Sequence, residues 1–331
     1  MTSRTVRLDR RRASFAIAGT IALPLGAARA AAGYPDRPVR IIVAYAPGGA
    51  NDVTARIYAE ALAARLKQPF VVENKPGASG ITGTTAAARA EPDGYTLMLG
   101  AGGVMTINPS LYQNLSYDPL RDFVPLGLAS RSPLLMVVPS ALPVKTAAEF
   151  IAYGKRGAGV TFASPGTGTP LHLAGELFMR QAGLKYVHVP YKGSSPAIND
   201  LIAGRVDVMF DALNSSLPFV RAGRLRALAV TTAQRSTELA EVPTLQEAVG
   251  FDNFDVSSWF GFFAPSKTPT DVVRLLTAEL QAVSALADVR QRIAAVGLET
   301  AASTPERLGT MVRAETARWA EVIRAGNIKL D

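Results

Sequence analysis

The chain has 331 residues, 48% hydrophobic and 19% charged, with 2 His, 0 Cys and a formal net charge of +8. The absence of Cys excludes a disulfide framework, thiol catalysis and a lipid-modified N-terminal Cys. No run beyond residue 30 reaches the about 18 uninterrupted apolar residues of a membrane span. The length suffices for two sizeable cores.

Residues 1–30 read as an export leader. Arg4, Arg7, Arg10, Arg11 and Arg12 form a basic start, Phe15 to Leu25 a short apolar run, and Ala28-Arg29-Ala30 a small-x-small cleavage pattern. Cleavage near Ala30 is expected, releasing a soluble protein into the periplasm. Arg10-Arg11-Arg12 also permits a twin-arginine route, so the mode of export stays open. Six Arg and one Asp give this leader +5, and subtracting it from +8 leaves +3. The basic balance is mostly leader, and no nucleic-acid partner is expected.

Val39 to Val43 opens the rest as a strand, followed by the loop Pro47-Gly48-Gly49-Ala50-Asn51. Val53, Ile57, Ala61, Leu62 and Leu66 then recur at helical spacing, with Asn51 or Asp52 as N-cap. Phe70-Val71-Val72 is a strand, Pro76 to Gly80 a loop, and an Ala-rich helix runs to about Arg89. Tyr95 to Leu99 is a strand ending in Gly100-Ala101-Gly102-Gly103. Such strand–helix alternation predicts a parallel sheet with right-handed crossovers.

The apolar stretch Pro125 to Val138 is interrupted at Ser130-Arg131-Ser132-Pro133, which predicts a strand on each side of a break between domains. A second series follows. Val160 to Ala163 is a strand, and Thr169 with Pro170 makes a strong helix start. Val187 to Val189 is a strand, Ser195-Pro196 repeats the cap chemistry, and Val206 to Phe210 is a strand stopping at Asp211. Leu225 to Val230 is another strand. Phe251 to Ala264 reads as the return crossing, and helices over about 271–285 and 306–325 close the chain.

Each strand-to-helix joint presents unpaired N–H groups at a positive helix end, which suits an anion. The joints bring forward Tyr45, Gly48, Gly49 and Asn51, then Ser79, then Ser164, Gly166, Thr167, Thr169 and His172, then Tyr191, Lys192 and Gly193. Gly102 and Asp211 stand at further strand ends. Against each stands a plainer reading: the loops as ordinary βα joints, Lys192 as a solvated charge, Asp211 as a helix cap, His172 as a packed or capping side chain. His188 reads as structural, and Trp259 and Phe260 as core or hinge packing. The 2 His lie at no metal-ligand spacing, Leu171 replaces the third Gly of a dinucleotide fingerprint after Gly166-x-Gly168, and no G-x-S-x-G occurs. No metal, cofactor or catalytic residue is expected.

These residues also resemble a family. Tyr34-Pro35-Asp36-Arg37-Pro38, Val72-Glu73-Asn74-Lys75-Pro76-Gly77-Ala78, Pro92-Asp93-Gly94-Tyr95-Thr96-Leu97, His172-Leu173-Ala174-Gly175-Glu176, Val187-His188-Val189-Pro190-Tyr191-Lys192-Gly193 and Ser257-Ser258-Trp259-Phe260-Gly261 are similar, in order, to the Bug family of extracytoplasmic solute receptors of tripartite tricarboxylate transporters. The resemblance implies a type II periplasmic binding-protein fold, an α/β protein of two lobes closing on a small carboxylate. It implies delivery to membrane permease subunits, and a monomer is expected. The divisions would be the leader 1–30, a first lobe over 31–130 and 255–331, and a second over 131–254. Asn51 replaces a usual Thr, which reads as one N-cap for another, and Gly102-Gly103-Val104-Met105 departs from a more polar segment facing the cleft. An exported hydrolase or transferase, and a receptor reporting to a membrane sensor, stand as alternatives.

Overall fold

The computed structural model describes residues 33–252 and 254–329, so the expected leader lies outside the described residues. In the first lobe β1 (Val39–Val43), β2 (Phe70–Asn74) and β3 (Thr96–Ala101) pair in parallel, with β1 central. All six residues of β3 are buried, as a strand covered on both faces requires. Helices α1 (Ala50–Leu66) and α2 (Ile81–Ala88) make the crossovers. A π-helical turn over Gly103–Ile107 follows β3, then the short helices α3 (Asn108–Leu111) and α4 (Pro119–Asp122).

The expected break at Ser130–Pro133 is absent. One strand, β4 (Phe123–Pro139), runs through 17 residues, about 55 Å at the usual rise. Pro133 ends its pairing with β9 (Ser257–Pro265), and Leu134 begins its pairing with β7 (Val208–Ala212). A residue without an N–H stands where the strand changes partners, so no donor is stranded there.

The second lobe adds α5 (Ala147–Arg156), β5 (Val160–Ser164), α6 (Pro170–Gln181), β6 (Tyr186–Pro190) and α7 (Ser194–Ile202). Beyond β7 come α8 (Leu213–Arg221), β8 (Leu225–Val230) and α9 (Leu245–Val249). β5, β6 and β7 are parallel, while β7 and β8 each pair antiparallel with β4. After β9, α10 (Thr270–Ala285), α11 (Ala287–Ala295), the two-residue β10 (Glu299–Thr300) and α12 (Pro305–Gly326) complete the chain.

The sheet order is β2-β1-β3-β9-β4-β7-β5-β6, with β8 and β10 also on β4. This is the two-lobe α/β arrangement the resemblance implies. Each half-sheet is covered on both faces by its own apolar clusters. α12 is shared: Leu308 and Val312 pack in the first lobe, whereas Trp319, Val322 and Ile323 pack in the second. The return crossing is tied to the outgoing one through Thr231, whose carbonyl accepts from the Val256 N–H at 2.9 Å and whose N–H donates to Leu134 O at 3.0 Å.

Two expected helix starts differ. α1 begins at Ala50 with Gly49 as N-cap, not at Asn51 or Asp52, and no side chain caps it. α7 begins after Gly193, and the Ser194 hydroxyl donates to Asp211 Oδ1 at 2.6 Å instead of capping, while Ser195 has no cap bond. Thr169 caps α6 as expected, accepting from the His172 N–H at 3.2 Å.

Candidate functional site

The joint between β1 and α1 is held from within. Gly48 has φ +88°, a conformation that costs a side-chain-bearing residue but not glycine. Its N–H donates to Asp52 Oδ2 at 2.9 Å, so it serves the loop. Asp52 is buried, accepts from Arg56 Nε at 3.0 Å, and takes a bond from Asn74 Nδ2 at 2.9 Å. Burial pushes the Asp52 carboxyl up, but the bonds from Arg56, Gly48 and Asn74 outweigh it and hold it below the ordinary range. Asn74 Nδ2 also donates to Tyr45 O at 3.1 Å. The loop is therefore clamped to β2 before any ligand arrives.

With Gly49 as N-cap, Asn51 falls at the second position inside the helix. It is 4% exposed, and its Nδ2 and Oδ1 are both buried without a hydrogen-bond partner. A buried amide left unsatisfied costs about 1–3 kcal/mol per group. The uncapped start of α1 adds N–H groups with no intrahelical partner.

Asn51 lines a cavity of about 310 Å³ between the lobes. The first lobe supplies Tyr45, Gly49 and Ala50, with Ala101, Gly102 and Gly103 from the end of β3. Ser258, Trp259 and Phe260 come from the start of β9, and Pro170 from the second lobe. Trp259 is anchored: its Nε1 donates to Glu315 Oε2 at 2.9 Å, and Thr106 Oγ1 donates to the same oxygen at 3.2 Å. Arg318 stands 3.6 Å from Glu315 Oε1, and burial still raises the Glu315 carboxyl above its ordinary range. A Cβ at Gly102 would lie 3.0 Å from Trp259 Nε1, so glycine lets the indole approach the end of β3. Larger depressions lie beside Arg131 and Glu299, about 440 Å³, and beside Lys145 and Arg156, about 1000 Å³. The 440 Å³ depression holds one orphan, the Thr300 hydroxyl, whereas the 310 Å³ cavity holds a whole amide with donor and acceptor both unpartnered and adjoins the uncapped start of α1, so it is the candidate site.

The loop after β5 is bonded to itself. Gly166 N–H donates to Ser164 Oγ at 3.3 Å, Gly168 N–H to His172 Nδ1 at 3.1 Å, and Thr169 Oγ1 to Gly166 O at 2.8 Å. His172 thus carries its proton on Nε2, 3.4 Å from Glu176 Oε1. Glu176 also takes a short bond from the Tyr186 hydroxyl. His188 stacks on His172 with ring centroids 3.9 Å apart, and its Nε2 meets Ser164 Oγ at 2.7 Å. Burial, with the His172 ring as the next cause, pushes His188 down to about 4. Ser164 and His188 thus touch as a nucleophile and base would, but Ser164 is 0% exposed and His188 is a weak base.

Of the residues singled out in the sequence, the cavity gathers Tyr45, Gly49, Asn51 and Gly102, and Gly48 sits beside it in the clamped loop. Ser164, Gly166, Thr167, Thr169 and His172 form the opposing loop that ends at Pro170. Ser79 is exposed, with φ 52° in a turn whose carbonyl accepts from Asn108 Nδ2 at 3.2 Å. The Tyr191 hydroxyl donates to Asp200 at 2.9 Å, Lys192 is exposed, and Gly193 N–H donates to Pro165 O at 3.0 Å. Both oxygens of Asp211 are occupied by hydroxyls, of Ser194 at 2.6 Å and Ser216 at 2.7 Å. Sequence reasoning passed over Ala101, Pro170 and Ser258 as lining, and took Trp259 and Phe260 for packing. Among the described residues no group of three His, Cys, Asp or Glu could hold a metal ion, and no helix is long and apolar enough to cross a membrane.

Residues 54–328 match the model of the tripartite tricarboxylate transporter family receptor. The chain is 39% identical over 291 residues to the "UPF0065 protein in tcbD-tcbE intergenic region" of Pseudomonas sp. strain P51, covering 88% of this chain and 86% of that protein. It is 36% identical over 299 residues to protein BugT of Bordetella pertussis strain Tohama I, covering 90% and 91%. Among solved structures it is similar to an R. palustris protein with adipate, with TM-score 0.74, 35% identity and coverage of 89% and 99%. It is also similar to MatC from Rhodopseudomonas palustris with bound malate, with TM-score 0.70, 32% identity and coverage of 88% and 100%.

Proposed function

The chain belongs to the tripartite tricarboxylate transporter receptor family, whose members are solute-binding receptors and not enzymes, and we propose that it captures a small carboxylate between its lobes in the periplasm and delivers it to membrane permease subunits. The observation that carries this reading is Asn51: an amide with both polar atoms buried and unpartnered, on the wall of an interlobe cavity, is poised for a polar guest. Its Nδ2 and the free N–H groups opening α1 would hold the carboxylate from the first lobe. The Ser164–Thr169 loop, which Pro170 follows into the cavity, would close from the second. Three or four hydrogen bonds to a charged group, at about 1.5–3 kcal/mol each, suffice for micromolar affinity after association costs. Structures of relatives carrying malate and adipate support an acid as the guest.

The division we propose is a leader over 1–30, cleaved near Ala30, a first lobe over 31–130 and 255–331, and a second over 131–254. The last turns of α12 then reach from the first lobe into the second lobe's core. The protein acts as a monomer. Calorimetric titration with malate, adipate, acetate and benzoate tests the reading. Binding of at least one acid, with a smaller radius of gyration by X-ray scattering at saturation, is expected. No binding of any of them, or binding at constant radius, contradicts capture by closure.

A further inference from the structure

The walls of the interlobe cavity restrict the acid it takes. Resting on the carboxylate reading above, we propose that the preferred ligand bears one carboxylate on an apolar aromatic body, and not two or three carboxylates.

Among the described residues lining the cavity, none is charged. Its polar side chains are Asn51, Ser258 and the Tyr45 phenol, and burial lifts that phenol to about 12, so it stays neutral. One carboxylate is served by the Asn51 amide and the uncapped start of α1. A second would enter without a counter-ion, and burying an unpaired charge is strongly unfavourable. Lys192, the cation nearest to hand in the sequence motifs, is exposed and outside the lining.

The wall also carries three aromatic residues, Tyr45, Trp259 and Phe260, set among small residues and Pro170. Aromatic side chains prefer ring partners in offset or edge-to-face geometry. Trp259 does not wander, because Glu315 holds its Nε1 at 2.9 Å and Gly102 leaves room for the indole against β3. Val104 and Met105, which follow the two cavity glycines, are fully buried in the core, so the polar groups expected of this segment are absent from the cleft. A rigid, uncharged, aromatic-walled space with one orphan amide fits a benzoate-like acid.

Isothermal calorimetry on the purified protein decides it, with benzoate, acetate, malate, adipate and the neutral isostere benzamide as probes. Benzoate should bind about 10- to 100-fold more tightly than malate, the margin that burying a ring provides. Benzamide should bind at least about tenfold more weakly than benzoate. In Tyr45→Ala, benzoate affinity should fall about tenfold more than acetate affinity. Malate or adipate binding more tightly than benzoate would overturn this proposal and leave the carboxylate reading standing. Benzamide matching benzoate, or no acid binding at all, would overturn both. An equal loss for benzoate and acetate in folded Tyr45→Ala would remove the aromatic wall from the argument and sink the proposal.

Discussion

Replacing Asn51 with Leu should make the ligand-free protein more stable and the receptor worse. Both amide atoms of Asn51 are buried and unpartnered, so the folded protein carries their desolvation without return. Each orphan group costs about 1–3 kcal/mol when dry, and water entering the cavity relieves part of that. Leu has the same branched shape, its bulkier methyl groups face the adjoining cavity, and its helix propensity is better in the first turn of α1. A net gain of about 1–2 kcal/mol follows, and at about 2–4 °C per kcal/mol for a chain of this size the melting temperature should rise about 2–8 °C. Binding should move the other way, by about 1.5–3 kcal/mol or about 10- to 150-fold, as a charge-assisted bond is lost. Scanning calorimetry without ligand and titration calorimetry with benzoate and malate read the two effects separately. A variant that melts lower and binds as tightly as the wild type would refute the reasoning, because the amide would then be serving the fold.

Acid should weaken the fold through His188. Its folded-state value lies near 4, below the ordinary 6.5, so between those limits the unfolded chain binds more protons and stability falls as pH falls. The full shift corresponds to about 3 kcal/mol, cut to about 1–2 by solvent screening of a half-buried ring. Urea melts from pH 7 to pH 4 should therefore slope less steeply in His188→Gln, and equal slopes would contradict this. Asp52→Ala should cost about 2–3 kcal/mol by releasing Gly48, Arg56 and Asn74 together, and should weaken ligand binding through the loosened loop. Denaturant melts and titration of the same variant check it; unchanged affinity would show that the clamp does not position the site.

Much of the fold was legible because its signals are local. Val39 to Val43 and Thr96 to Ala101 are apolar runs of strand length, and Thr169-Pro170 announces a helix by chemistry within one turn. What stayed hidden depends on partners distant in sequence or on a locally misleading residue. Pro133 reads as a break, yet it sits inside a continuous strand because the neighbour changes there. Pro218 disguises α8, a helix of 9 residues that contains it. α5 did carry a signal: Thr146 accepts from the Glu149 N–H at 3.1 Å, and the Glu149 carboxylate reaches back to the Lys145 N–H at 2.6 Å. The division of α12 between two cores cannot be read from its periodicity, since one apolar stripe serves both lobes.

The site was legible to the extent that it is made of glycine joints, and illegible where its meaning turns on which residue begins a helix. Asn is a favoured N-cap, so Asn51 ahead of an apolar helical pattern reads as a cap, and replacing Thr with Asn then changes little. The helix starts at Ala50, with Gly49 in the cap position. Asp52 draws the preceding loop in by accepting the Gly48 N–H, and Asn74 anchors that carboxylate from β2. Starting the helix two residues earlier takes Asn51 away from the backbone donors it would have capped and leaves its amide on the cavity wall with nothing to bond. The same residue type, displaced by two places from the N-cap, ceases to close the helix and becomes the unpartnered group that the proposed ligand would satisfy. Local preference could name the residue at this joint; only the contact with a strand more than twenty residues away decides what it does.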